Sequence, residues 1–187
     1  MIKLTRNLFK GIAATALTGL AAFGFASASV ANQANNYGVD SNHAQLISAV
    51  ESTGVDFLLN PQKCNKIPAF GWYSGTERQL VVCQENRDRS SAVPVKWTEE
   101  DLDTLRHEAQ HLLQDCRDGS IDQRLLPIYN NPVALGIKVL GPDAMLTISE
   151  KYAHQGLYVV ILEYEAFSVG TLNDPLEQVN DINRMCR

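Results

Sequence analysis

The run RHEAQHLL, residues 106–113, sets His107 and His111 four positions apart with Glu108 directly after the first. On a helix both imidazoles then lie on one face, one turn apart, where they can share an ion, while Glu108 stands about 100 degrees round the axis. Two neutral imidazoles suit zinc, and a carboxylate so placed can reach a water on the ion without ligating it. The chemistry open to such a trio is metal-assisted hydrolysis. Four His and ten Glu scattered at random would produce the string roughly once in a few hundred chains of this length, so it is informative without being decisive alone. The plainer reading makes both histidines solvated helix residues and predicts no third donor downstream.

A catalytic zinc has three protein ligands and one open position, so a third donor is required. A histidine six residues past His111 is excluded, because Arg117 stands there. His43 and His154 are the remaining histidines, and packing or solvated roles suit both better than ligation. Carboxylates remain. In LEYEAFSVG, Glu163 and Glu165 interrupt an otherwise apolar helix, and an acid in such company has a partner. Gly156, Val159, Glu163, Ala166 and Gly170 share one helical face, whose small residues would let that helix approach the histidine helix closely. Glu165 shares its own face with Leu162 and Ser168, and either acid could serve.

The elements that must position these residues can be read from caps and periodicity. WTEEDLDTLRHEAQHLLQDCRDG carries Thr98 as a cap, three acids in the first turn and Gly119 as a stop, with Leu102, Leu105, Ala109, Leu112 and Cys116 recurring every three to four residues. This predicts an amphipathic helix whether or not the histidines are considered. Upstream, SNHAQLISAVEST predicts a helix behind Asp40 or Ser41 that ends at Gly54, VDFLLN predicts a strand, and FGWY with QLVVC predicts a hairpin around Ser74 and Gly75. Residues 121–140 are punctuated by Pro127, Pro132 and Gly136 and predict a connection with at most short helical turns. Three further helices are predicted, opening at Pro142, running through LYVVILEYEAFSVG, and opening at Pro175.

The first thirty residues stand apart. Lys3, Arg6 and Lys10 precede a run of about 15 apolar residues that ends in ASASVA, the pattern of a secretory signal cleaved after Ala28 or Ala31 and shorter than the roughly 20 residues of a membrane span. Residues 32–187 then form one domain of 155-odd positions, long enough for a single sizeable core. Only about ten residues separate the cleavage region from the first helix, too few to cover a cleft as a prosegment. The chain is acidic, with 16 Lys+Arg against 21 Asp+Glu, which argues against a nucleic-acid partner. Cys64, Cys83, Cys116 and Cys186 form an even set in a chain bound for an oxidising compartment, and no C-x-x-C pair suggests zinc. Two disulfides are expected, Cys64–Cys83 bracketing the strand region and Cys116–Cys186 tying down the tail.

HEAQH, followed 52 positions after His111 by E-Y-E-A, resembles the zincin metallopeptidases of the glutamate-ligand type, the gluzincins. The resemblance spans roughly residues 65–170 and points to no particular family within the group. It implies an α+β, zincin-like single domain: a small sheet or hairpin packed on the active-site helix, then a C-terminal helical part. It also implies one Zn²⁺ held by His107, His111 and a Glu three positions before a small residue. Glu163 with Ala166 fits that frame, and Glu165 with Ser168 is the alternative. The acid that usually follows the small residue is missing, since Phe167 and Val169 stand there, so the contact that orients a histidine must come from elsewhere. Glu108 becomes the general base, Tyr152, His154 or Tyr158 a second oxyanion donor, and QLVVC an edge strand for peptide addition. The function implied is hydrolysis of peptide bonds in a peptide or protein substrate by a secreted or periplasmic enzyme without stable membrane insertion. The alternatives are a zincin-like binding or inhibitor module without turnover, and a zinc hydrolase of non-peptide amides.

Overall fold

The computed structural model describes residues 37–88, 93–172 and 174–186; the expected export signal and its cleavage positions lie outside the described residues. Among these residues the fold is mixed α+β, as expected, with six α-helices and one three-stranded sheet. Helix α1 spans Ser41–Ser52, and of its two candidate caps Asp40 does the work, accepting from the Asn42 and His43 backbone N–H groups. Its apolar residues Leu46, Ile47 and Val50 are fully buried. Strand β1, Asp56–Leu59, leads into a 3-10 turn at Gln62–Asn65 that carries Cys64. Strands β2, Gly71–Ser74, and β3, Gln79–Val82, form the predicted hairpin.

The sheet order is β1-β3-β2, with β1 parallel and β2 antiparallel to β3. The expectation that QLVVC is an edge strand is therefore corrected. Residues 79–82 pair on both sides and their backbone groups are used up, so no peptide can add there. The outer strand beside it is β2. Cys83 N–H donates to the Phe70 carbonyl, which makes Trp72 and Ser74 the residues that bond to β3 and turns the Gly71 and Tyr73 backbone groups to the open side.

Helix α2, Glu99–Cys116, starts at a full capping box: the Thr98 hydroxyl accepts from Asp101 N–H and the Asp101 carboxylate from Thr98 N–H. Its apolar face, Leu105, Ala109, Leu112, Leu113 and Cys116, joins the main core with α1 and the sheet. Its polar face is buried as well, from Thr104 to Cys116. That departs from a simple amphipathic surface helix, because helix α5, Leu157–Leu172, lies across it. Contact is close where the small residues fall. A Cβ on Gly170 would sit 3.0 Å from the Asp103 carbonyl oxygen and 3.4 Å from His107 Cβ.

Residues 121–131 are irregular, as expected, but Pro132–Val139 forms an eight-residue helix, α3, longer than the predicted short turns. Asn131 caps it through Ala134 N–H, and Pro132 fills its first turn. Helices α4, Pro142–Tyr152, and α6, Pro175–Met185, start at the predicted prolines. A second core, with Ile148, Tyr152, Val160 and Phe167, fastens α4 to α5. The disulfides are Cys64–Cys83 and Cys116–Cys186, the expected pairing. Such bridges are compatible with a secreted protein, and none of the described helices is long and apolar enough to cross a membrane.

His43 is one of the buried polar groups that lock this arrangement. Its Nδ1 donates to Asp40 Oδ2 at 2.5 Å, and its Nε2 accepts from Arg106 Nη1 at 2.6 Å, while Arg106 Nε donates to the Gly170 carbonyl at 2.8 Å. Arginine cannot accept, so Nε2 must stay unprotonated. Burial first, and the Arg106 charge second, hold this imidazole below its ordinary pKa of 6.5 against the pull of Asp40. A depressed folded pKa gives stability that is present above pH 6.5 and lost as pH falls through the folded value. Asp103, raised to about 6 by burial beside Arg106, acts with the opposite sign. Comparison with a His43→Gln variant separates the two. The expected result is a urea midpoint that falls between pH 7 and 5 in the wild type and falls less in the variant; parallel curves would exclude His43 as the source.

Candidate metal centre

His107 and His111 project from the middle of α2 toward α5 and are 2% and 8% exposed, which rules out solvated helix histidines. Their Nε2 atoms are 3.1 Å apart. Glu163, on the facing side of α5, brings Oε2 to 3.4 Å from His107 Nε2 and Oε1 to 3.5 Å from His111 Nε2. Two imidazole nitrogens from one helix thus face the two carboxylate oxygens of Glu163 on the other. The residues whose ligand atoms all lie within 4.8 Å of one another, and which could hold a metal ion, are His107, Glu108 and His111. Of the two acids, Glu163 lies closer to both imidazoles.

The charges of these four groups act on one another. Burial would raise the Glu163 carboxyl, but His111 and His107 hold it well below the usual range. Burial would depress His111, yet Glu163 and Glu108 bring it up to about 9, while burial keeps His107 low. Burial also pushes Glu108 up to about 8. Glu108 Oε1 and Glu163 Oε2 are buried without a hydrogen-bond partner, and such atoms are costly unless a ligand meets them. The Tyr73 backbone N–H, on the open side of β2, faces Glu108 and favours its charged form. Gly71 makes this approach possible: a Cβ there would lie 2.6 Å from Thr104 Cγ2 and 3.1 Å from Glu108 Cγ.

Glu165 lies elsewhere. Its Oε1 accepts from Gln110 Nε2 at 2.9 Å, Gln114 Nε2 at 3.0 Å and Ile128 N–H at 3.0 Å, and its Oε2 from Tyr129 N–H at 2.9 Å. Four donors stabilise this buried carboxylate, and none belongs to a histidine. His43 lies in the Asp40–Arg106 cluster and His154 is exposed in a 3-10 turn, so neither joins the centre. The three candidate oxyanion donors also separate. Tyr152 is buried beside Glu163, Tyr158 donates to the Leu125 carbonyl at 2.8 Å, and His154 stays in solvent.

Two contributors escape the motif. Gln114 Oε1 accepts from His111 Nδ1 at 2.8 Å, a contact that fixes the orientation of that ring. Its position, three residues past His111 on the same face, was a usable signal. Lys151, at the end of α4, has a buried ammonium without a hydrogen-bond partner, acted on by the Glu163 and Glu108 charges. A lysine in EKYAHQ carries no local sign of this, because only the packing of α4 against α5 brings it there. His107 is held differently from His111: its ring packs on Phe167 at 4.4 Å and its Nδ1 has no hydrogen-bond partner.

No protein-family model matches the chain, and no curated protein or solved structure matches it either.

Proposed function

We propose that the chain is an exported zinc peptidase of zincin-like fold in which His107, His111 and Glu163 hold one Zn²⁺ and Glu108 is the general base. The observation that carries this reading is the approach of the Glu163 carboxylate to both imidazoles, Oε2 at 3.4 Å from His107 Nε2 and Oε1 at 3.5 Å from His111 Nε2, with the two Nε2 atoms 3.1 Å apart. Ligands about 2.0–2.1 Å from a tetrahedral zinc stand about 3.3–3.4 Å apart, and each of these pairwise spacings is close to that. Two imidazoles and one carboxylate are also a donor set suited to zinc.

Zinc held there would supply Lewis acidity toward water and a scissile carbonyl. The chain's own residues do the rest. Glu108 takes a proton at its unpartnered Oε1 and returns it to the leaving amine, and burial raises the proton affinity of its carboxyl. The outer edge of β2 passes Glu108 at Gly71, and an extended peptide along that edge would lie beside the centre. Lys151 stands on the Glu163 side as a donor to a developing negative charge, and Tyr152 is engaged with Glu163 itself.

The test begins with metal analysis and cleavage of a broad peptide set. One zinc per chain is expected, and Glu163→Gln should weaken zinc binding by more than about 100-fold, beyond the usual cost of changing an outer contact. Unchanged zinc affinity in that variant would remove Glu163 from the ligand set. Stoichiometric zinc with no cleavage of any peptide would favour a binding module or a hydrolase of other amides.

A further inference from the structure

The buried carboxylate of Glu165 is too well supplied with donors to be a by-product of packing, and its neighbours lead in two directions. One is the metal centre. Gln114 Nε2 donates to Glu165 Oε1 at 3.0 Å and to the Leu162 carbonyl at 3.1 Å, and both of these partners can only accept. The amide of Gln114 therefore has one permitted orientation, with its oxygen toward His111 Nδ1 at 2.8 Å. That oxygen requires a proton on Nδ1, so the neutral ring carries its lone pair on Nε2, the atom that would meet an ion. The other direction is the irregular segment before α3. Ile128 and Tyr129 give both of their backbone N–H groups to the same carboxylate. This segment is further held by Leu126 N–H on the Gln114 carbonyl at 2.8 Å and by Tyr158 on the Leu125 carbonyl.

We infer that Glu165 is a positioning residue that links metal binding at His111 to the ordering of residues 125–129. The linkage rests on the metal-site reading above. An ion on Nε2 polarises His111 and strengthens the Nδ1–H bond to Gln114; that tightens the amide on Glu165, which tightens its hold on the two backbone N–H groups. Coupling of this kind is reciprocal, so whatever orders residues 125–129 also raises metal affinity. A substrate resting on that segment would help to retain the ion that acts on it. Gln110, which donates to the same Glu165 oxygen at 2.9 Å without touching a histidine, stabilises the carboxylate but has no part in the path to the metal.

The experiment compares amide hydrogen exchange at Ile128 and Tyr129 with and without zinc, alongside zinc affinity by chelator competition, in the wild type, Gln114→Leu and Gln110→Leu. Zinc is expected to slow exchange at both amides in the wild type. Gln114→Leu should bind zinc about 10–100-fold more weakly and lose the slowing, whereas Gln110→Leu, an equally buried loss, should stay within about threefold of the wild type and keep it. Wild-type amides that ignore bound zinc would overturn the inference without needing any variant, as would equal losses of affinity in the two variants. A wild type that binds no zinc would overturn the metal reading itself and the linkage with it, and that outcome is read directly from the titration.

Discussion

Replacing Glu108 with glutamine is expected to abolish hydrolysis while the ion and the fold remain. The side chain is 1% exposed, so an isosteric amide fits the same space, and none of the three proposed ligands is touched. Glutamine at this position keeps an oxygen for the Tyr73 N–H and removes a negative charge that repels Glu163, so stability should not suffer. The ability to take a proton is lost altogether. General-base removal costs about 10²–10⁴ in rate, equivalent to roughly 3–6 kcal/mol of barrier. The measurement is kcat/KM on a cleaved peptide beside zinc stoichiometry and a thermal melt. Full activity in the variant would exclude Glu108 as the base, while loss of zinc together with activity would mean that Glu108 is a ligand.

Cutting the Cys116–Cys186 bridge carries the largest expected loss of stability. It joins the last residue of α2 to the end of α6 across 70 positions, against 19 for Cys64–Cys83. Loop-closure entropy in the unfolded chain assigns about 4 kcal/mol to the longer loop and about 3 kcal/mol to the shorter. The structure widens the gap, because Cys116 belongs to the main core and α2 has no side-chain cap at that end. A Cys116→Ala/Cys186→Ala double variant should therefore unfold at lower urea than Cys64→Ala/Cys83→Ala, measured on metal-free protein so that zinc does not mask the difference. The opposite ranking would show that the local anchoring of the Cys64 turn outweighs loop length.

The parts of this architecture that announce themselves in the sequence are those decided within one element. Thr98 and Asp101 mark the start of α2, the leucine spacing marks its core face, and the prolines at 142 and 175 mark two helix starts, all through short-range chemistry. The same punctuation misleads at 132, where Pro132 and Gly136 suggest a broken connection and Asn131 in fact caps a helix. Strand β3 is misjudged for a different reason. Its parallel pairing with β1 crosses more than twenty residues, and nothing in QLVV says which neighbours it will have. The choice between Glu163 and Glu165 is of this kind too. Two positions apart on a helix they point to nearly opposite sides, and only the docking of α5 on α2, allowed by Gly170, decides which one meets the histidines. Gln114 and Lys151 were missed because an amide and an ammonium acquire their meaning from partners on other elements.

The chain order of these pieces has a bearing on biogenesis. Synthesis proceeds from the N-terminus, so α2 with both histidines is made about fifty residues before Glu163, and the cysteine that closes the long bridge is the second residue from the end. A nascent chain thus carries an open pair of imidazoles and no enclosed centre until its last helices pack. The proposed centre is therefore enclosed only after α5 has docked on α2, so the ability to hold an ion there would depend on that late packing step.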